Sequence, residues 1–210
     1  MTKQQIKALY PERVVCVDCA TLGMVSNYDS LISISACIME AGSFTGEVFH
    51  RAVRPELRGK VSMEALKALS GDNFDTEAFD IIQFSAAMSK IFPAEALPAM
   101  DVTKLLSEWA NDTGAIDSPN IAHRASFDWA FFDRHLSSNT AKYQGPLLSP
   151  VWLCTKTMSR LLFPEVREMG LKALSKALGI SAEKGPHESF EDAMLCGQCY
   201  WEMRKRLLAQ

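Results

Sequence analysis

Val14-Val15-Cys16-Val17-Asp18-Cys19-Ala20-Thr21-Leu22-Gly23-Met24 opens as an unbroken apolar run and turns polar at Asp18. A continuous apolar stretch rich in β-branched residues is the pattern of a central strand covered on both faces. On this pattern the strand stops at Asp18, leaving a carboxylate at its end. Leu31 to Met39 alternates instead: Ile32, Ile34, Ala36 and Ile38 share one face, and Ser33, Ser35 and Cys37 share the other. Glu47 to Val53 is a third β-rich stretch, with turn chemistry before it in Ala41-Gly42-Ser43 and at Gly46. Three strands joined by short turns predict an antiparallel meander.

Beyond the meander the period changes. Residues 62 to 110 are rich in Ala, Leu, Met and Lys and predict two or three helices, the clearest being Val102 to Ala110. Pro119 to Ala122 predicts a short strand, followed by a helix from Ala125 to Leu136. Val151 to Cys154 predicts another, followed by a helix ending near Phe163-Pro164. The last helices are Gly170 to Leu178 and Ser189 to Leu208. A meander followed by alternating helix and short strand implies an α/β fold, a mixed sheet flanked by helices.

The whole sequence supports one domain, 1–210, with a helical elaboration around 56–100. Its 210 residues are 48% hydrophobic and 22% charged, which excludes a disordered or fibrous chain. No apolar run approaches the roughly 20 residues of a membrane span. Met1 to Lys7 has no apolar signal core, so a cytoplasmic location is expected. A net charge of −3 argues against a broad basic face for duplex nucleic acid, but not against a small pocket for one strand end. The six cysteines include Cys16-x-x-Cys19 and Cys196-x-x-Cys199. An offset of three on a strand sends Cys16 and Cys19 to opposite faces, so buried reduced thiols fit better than a zinc site.

Four polar groups stand at the ends of elements. Asp18 closes the first strand. Asp128 lies in the first turn of a helix whose i+3, i+4 and i+8 positions are Phe131, Phe132 and Leu136, so it shares an inward face. Asp192 stands one turn before Cys196, on the stripe Ala193, Cys196, Tyr200, Met203, Leu207. Taken singly, each aspartate reads as a turn or helix-start residue. Inward-facing carboxylates need partners, however, and no Lys or Arg cluster accompanies these three, which leaves divalent cations. His187 precedes Asp192 by five residues, about 140° away on a helical wheel. Gly185-Pro186 places it on the preceding loop instead, where it can fold back over the carboxylate as a general base near neutral pH.

In this order the residues resemble the DEDDh 3′-5′ exonucleases, the DnaQ-like branch of the ribonuclease H-like superfamily. The first motif of that family, Asp-x-Glu-Thr-x-Gly, corresponds to Asp18-Cys19-Ala20-Thr21-Leu22-Gly23. The second, His-Asn-x-x-Phe-Asp, corresponds to His123-Arg124-Ala125-Ser126-Phe127-Asp128. The third, His-x-x-x-x-Asp, corresponds to His187 through Asp192. Trp152 to Thr157 and Leu171 to Ile180 are also similar, and the resemblance covers about residues 12 to 206.

The resemblance implies a five-stranded mixed sheet with helices on both sides. It also implies hydrolysis of the 3′-terminal phosphodiester of single-stranded DNA, RNA or short oligonucleotides to nucleoside 5′-monophosphates. Two Mg²⁺ or Mn²⁺ ions about 4 Å apart would bind the attacking and leaving oxygens. Asp18 would bridge them, Asp192 would hold the first and Asp128 the second. His187 would take the proton of the attacking water. Thr21, Leu22 and Gly23 would seat the 3′ nucleotide, with His123 and Phe127 beside it. Met24 would wedge between the last two bases, its alternative being ordinary core packing. Arg124, where the family often has Asn, would clamp a phosphate oxygen, its alternative being a surface charge.

Ala20 departs from the family at the metal-binding Glu, and an alanine cannot coordinate a cation. This chain is therefore expected to be nearly inactive, either by deliberate replacement or as a natural pseudoenzyme; the retained His187 favours the former. A non-catalytic nucleic-acid-binding module is the alternative from another class. A polymerase proofreading subunit is a third, which the end of the chain just after the last predicted helix disfavours. The apolar surface of residues 62 to 100 offers a site for a partner, including a second copy in a homodimer.

Overall fold

The computed structural model describes residues 3–21, 23–27, 29–54, 95–137, 147–164, 169–180 and 189–209. Leu22, His187 and most of the predicted helical elaboration lie outside the described residues. Helix α1, Lys3–Leu9, leads into β1, Arg13–Thr21, followed by β2, Leu31–Glu40, and β3, Ser43–Ala52. Then come α2, Ala99–Asp112; β4, Asn120–Ala122; α3, Ala125–His135; β5, Trp152–Cys154; α4, Thr155–Leu162; α5, Leu171–Leu178; and α6, Ser189–Ala209. The five strands form one sheet in the order β3-β2-β1-β4-β5. β1, β2 and β3 are antiparallel, while β4 joins β1, and β5 joins β4, in parallel. This is the expected mixed α/β sheet.

The apolar run on β1 is central because both its faces are covered. Val15, Val17 and Cys19 pack with Val102 and Leu106 of α2 and with Phe131 and Phe132 of α3. Val14 and Cys16 turn the other way, to Ala193, Cys196, Tyr200 and Met203 of α6. Cys16 and Cys19 thus face opposite sides, and all six cysteines are free. Each fully buried Val contributes roughly 1.5–3 kcal/mol, so this strand anchors both layers.

β1 does not stop at Asp18. Its antiparallel ladder with β2 continues through Asp18↔Ser35 and Ala20↔Ser33 and shifts register only between Ala20 and Thr21. The long β2 offers backbone partners the whole way, so the ladder overrides the loss of apolar side chains. On the other edge the parallel pairing with β4 covers only Val15 and Cys16. The carboxylate of Asp18 therefore lies beyond the end of the β1–β4 ladder, where the sheet opens.

Gly197 sets how closely α6 approaches the sheet. A Cβ there would lie 2.6 Å from Cys16 Sγ and 2.8 Å from Met39 Cγ. Gly197→Ala gains up to about 1 kcal/mol of helix propensity, but overpacking costs about 1–3 kcal/mol. The expected net result is a lower urea midpoint for the variant; a rise would show that α6 shifts without cost.

Candidate metal and nucleic-acid site

Residues alternate along β1, so Asp18 and Ala20 point to the same face as Cys16, the face under α6. Asp192 lies in the first turn of α6. Asp128 lies in the first turn of α3 and is 2% exposed. Its Oδ1 accepts a hydrogen bond from the Cys19 backbone N–H at 3.1 Å. That N–H lies past the end of the β4 pairing, so the aspartate satisfies a donor the sheet leaves open.

The carboxylates share one electrostatic site. Burial, then the charges of Asp128 and Asp192, push the Asp18 carboxyl up to about 8. Burial pushes Asp128 up to about 7, against the opposing pull of the Cys19 N–H. Desolvation and like charge act together on Asp18, and a divalent cation relieves both. Buried carboxylate oxygens are the donors that Mg²⁺ and Mn²⁺ prefer. Among the described residues, no three His, Cys, Asp or Glu side chains are grouped closely enough to hold a metal ion. Position 20 shares the face of Asp18 but, as alanine, adds no donor. The residues present fit divalent cations in kind, but their side chains do not stand together as a ready ligand set, and position 20 supplies none.

His123 follows β4, and both its ring nitrogens are engaged. Nε2 donates to the Met169 carbonyl at 2.9 Å, and Nδ1 lies 3.0 Å from Thr155 Oγ1. Burial lowers its pKa. His123 thus ties the second motif to the segment leading into α5. This brace was not legible in the motif, because Thr155 and Met169 are remote in sequence.

Arg124 takes a left-handed backbone, φ 76°, where β4 turns into α3. Its side chain is exposed, with the guanidinium 5.8 Å from the Phe127 ring centroid, and its charge opposes the rise of the Asp128 pKa. Asn tolerates this backbone better than Arg. Arg124→Asn is expected to raise stability by about 0.5–1 kcal/mol while weakening oligonucleotide binding about equally for all sequences and flattening its salt dependence. Unchanged binding and salt slope would make Arg124 a surface charge.

The β1–β2 connection carries the remaining substrate candidates. Thr21 Oγ1 donates to the Gly23 carbonyl at 2.6 Å. Val25 N–H donates to Asp29 Oδ2 at 2.8 Å, and His135 Nε2 donates to the Ser26 carbonyl at 3.2 Å. A side chain at Gly23 would collide with the Asp29 carboxylate. Met24 is 60% exposed and Val25 50%, which excludes core packing for Met24. The sequence reading missed Asp29 and His135, since neither falls within a motif.

No protein-family model matches the chain. It is 26% identical over 204 residues to the DNA polymerase III PolC-type of Oceanobacillus iheyensis; the match takes in 95% of this chain but only 12% of that protein's length. Among solved structures, S. pombe Pop2p in its Mg²⁺- and Mn²⁺-bound form superposes with a TM-score of 0.66 at 16% identity, over 96% of this chain and 86% of that one. A 3′-exonuclease solved for its 3′-end-specific recognition of histone mRNA stem-loop gives 0.66 at 12% identity, covering 94% and 65%. Exonuclease I from Methylocaldum szegediense gives 0.62 at 15% identity, covering 92% and 40%. The chain shares the fold of these solved structures, a ribonuclease H-like mixed sheet flanked by helices.

Proposed function

We propose that this chain is a 3′-5′ exonuclease domain for single-stranded DNA or RNA ends or short oligonucleotides, releasing nucleoside 5′-monophosphates, and that Ala20 holds it at low activity. The carrying observation is that burial, and after it the charges of Asp128 and Asp192, raise the pKa of Asp18. Two divalent cations, Mg²⁺ or Mn²⁺, would supply Lewis acidity to the attacking and leaving oxygens. Asp18 would touch both, Asp192 the first and Asp128 the second. His187 would accept the proton of the attacking water. Thr21, Leu22 and Gly23 would seat the terminal nucleotide, with Met24 against its base and Arg124 and Phe127 toward the phosphate side. His123 supports this site from behind.

A second reading, a proofreading module working beside a polymerase, draws support from the match to one part of a PolC-type polymerase. No helix among the described residues is long and apolar enough to cross a membrane, and we place the activity in the cytoplasm. The test is a digest of 3′-labelled single- and double-stranded DNA and RNA by the Ala20→Glu protein with Mg²⁺ or Mn²⁺. Stepwise release of labelled mononucleotides is the expected result. Tight binding without release would favour the binding-module alternative, and a preference for mismatched primer ends the proofreading one.

A further inference from the structure

We infer that a chain of three hydroxyls and one imidazole, Ser33, Ser189, Ser35 and His50, is a positioning device that seats the first turn of α6, and so Asp192, across from Asp18. The inference rests on the metal-dependent reading above. Its parts lie on two strands and a helix, beside the strand that carries Asp18. Ser35 on β2 pairs with Asp18 on β1, Ser33 with Ala20, and His50 on β3 with Ser35. Asp18, Ser35 and His50 therefore form one row on the face that α6 covers. Ser35 Oγ lies 2.7 Å from His50 Nδ1 and 2.7 Å from Ser189 Oγ, which in turn lies 3.0 Å from Ser33 Oγ. Ser35 is fully buried and Ser189 is 5% exposed, whereas His50 is exposed.

The hydrogens balance. Three links need three hydrogens, and three hydroxyls supply them when His50 Nδ1 accepts: Ser33 donates to Ser189, Ser189 to Ser35, and Ser35 to His50. Every member of the chain is then satisfied, and a fully satisfied network rigidifies the elements it joins. Ser189 is the first residue of α6, and Asp192 follows three residues later, on the same side of the helix. First turns fray, because their leading N–H groups have no intrahelical partner. This one also carries a carboxylate whose charge disfavours that of Asp18. Gly197 fixes the height of α6 two turns further on, but not the direction of its end. The hydroxyl chain ties that end to the two β2 residues that face Asp18 and position 20.

The measurement is Mn²⁺ affinity, read from the paramagnetic resonance signal of free Mn²⁺, for the chain as it stands and for its variants. Ser35→Ala and Ser189→Ala are expected to weaken Mn²⁺ about tenfold, as losing the support of a metal ligand does. Ser189→Thr keeps the hydroxyl and is expected to stay within about twofold of the parent. His50→Ala changes an exposed residue, should fold, and is expected to cost about threefold. In the Ala20→Glu background the same variants should raise the Mn²⁺ concentration for half-maximal hydrolysis, leaving the rate at saturating Mn²⁺ little changed. Parent-like Mn²⁺ affinity in His50→Ala and both Ser→Ala variants, with only a lower melting temperature, would overturn the inference. Absence of Mn²⁺ binding by the parent itself would instead overturn the metal-dependent reading, and the inference with it.

Discussion

Ala20→Glu is expected to raise metal-dependent release of 3′ mononucleotides by on the order of a thousandfold, the scale of a cation that is correctly held rather than sparsely bound. Position 20 shares a face of β1 with Asp18 and lies opposite Ser33. A carboxylate there meets a strand already in place, and Ala20 is only partly buried, so the longer side chain needs no core repacking. A hard divalent ion is held by the number of its charged oxygen ligands, and two aspartates hold it less well against water than two aspartates and a glutamate. The effect should therefore fall mainly on cation occupancy. The loop that would seat the nucleotide is braced by Thr21, Asp29 and His135 and does not use the side chain at position 20. Oligonucleotide affinity should accordingly change far less than the rate. Adding His187→Ala to the restored protein should remove the gain, as expected of a general base. A loss of binding in the restored protein in place of a gain in rate would contradict this account.

Asp18→Asn is expected to act in the opposite sense on stability. The folded carboxyl of Asp18 titrates at about 8 and that of Asp128 at about 7, both raised above their ordinary values. The folded chain thus keeps protons that the unfolded chain has already lost, between about pH 4 and pH 8. With chelator present, stability should fall as pH rises through that window, by on the order of a few kcal/mol. Asp18→Asn removes the larger share of this slope. At pH 9 it should be the more stable protein in urea, while at pH 5 the two should be alike. Saturating Mn²⁺ should recover the stability of the parent at pH 9 and do little for the variant. Metal-free stability that rises from pH 5 to pH 9 would mean that the carboxylates do not crowd one another.

Much of this was legible in the residues because several levels agree. The Val14–Val17 run, the alternation of β2 and the apolar stripe of α6 each match both their own period and the layer they pack against. Helix α6 begins at Ser189, as predicted. Other features were hidden for physical reasons. The extension of β1 past Asp18 depends on the partner groups of β2, not on the side chains of β1. Helix α1 is seven residues long and mostly polar, so it has no stripe to read. The left-handed turn at Arg124 contradicts the preference of its own residue, and only the turn from β4 into α3 demands it. The hydrogen bonds of His123, and the chain from His50 to Ser189, join residues distant in sequence that only the packing of helices and loops on the sheet brings together.

The proposed function requires that Asp18, Asp128 and Asp192 close around divalent cations, although their side chains are not grouped closely enough to hold one as they stand. Calorimetric titration of Mn²⁺ into the chain at pH 7.5, repeated in two buffers of different ionisation enthalpy, tests it most directly, because a cation must displace the protons that the crowded carboxylates retain. With Asp18 at about 8 and Asp128 at about 7, about one proton should leave per chain on saturation, and Asp18→Asn should abolish most of that release. Binding without proton release, or binding and release unchanged in Asp18→Asn, would place the cation elsewhere and contradict the account.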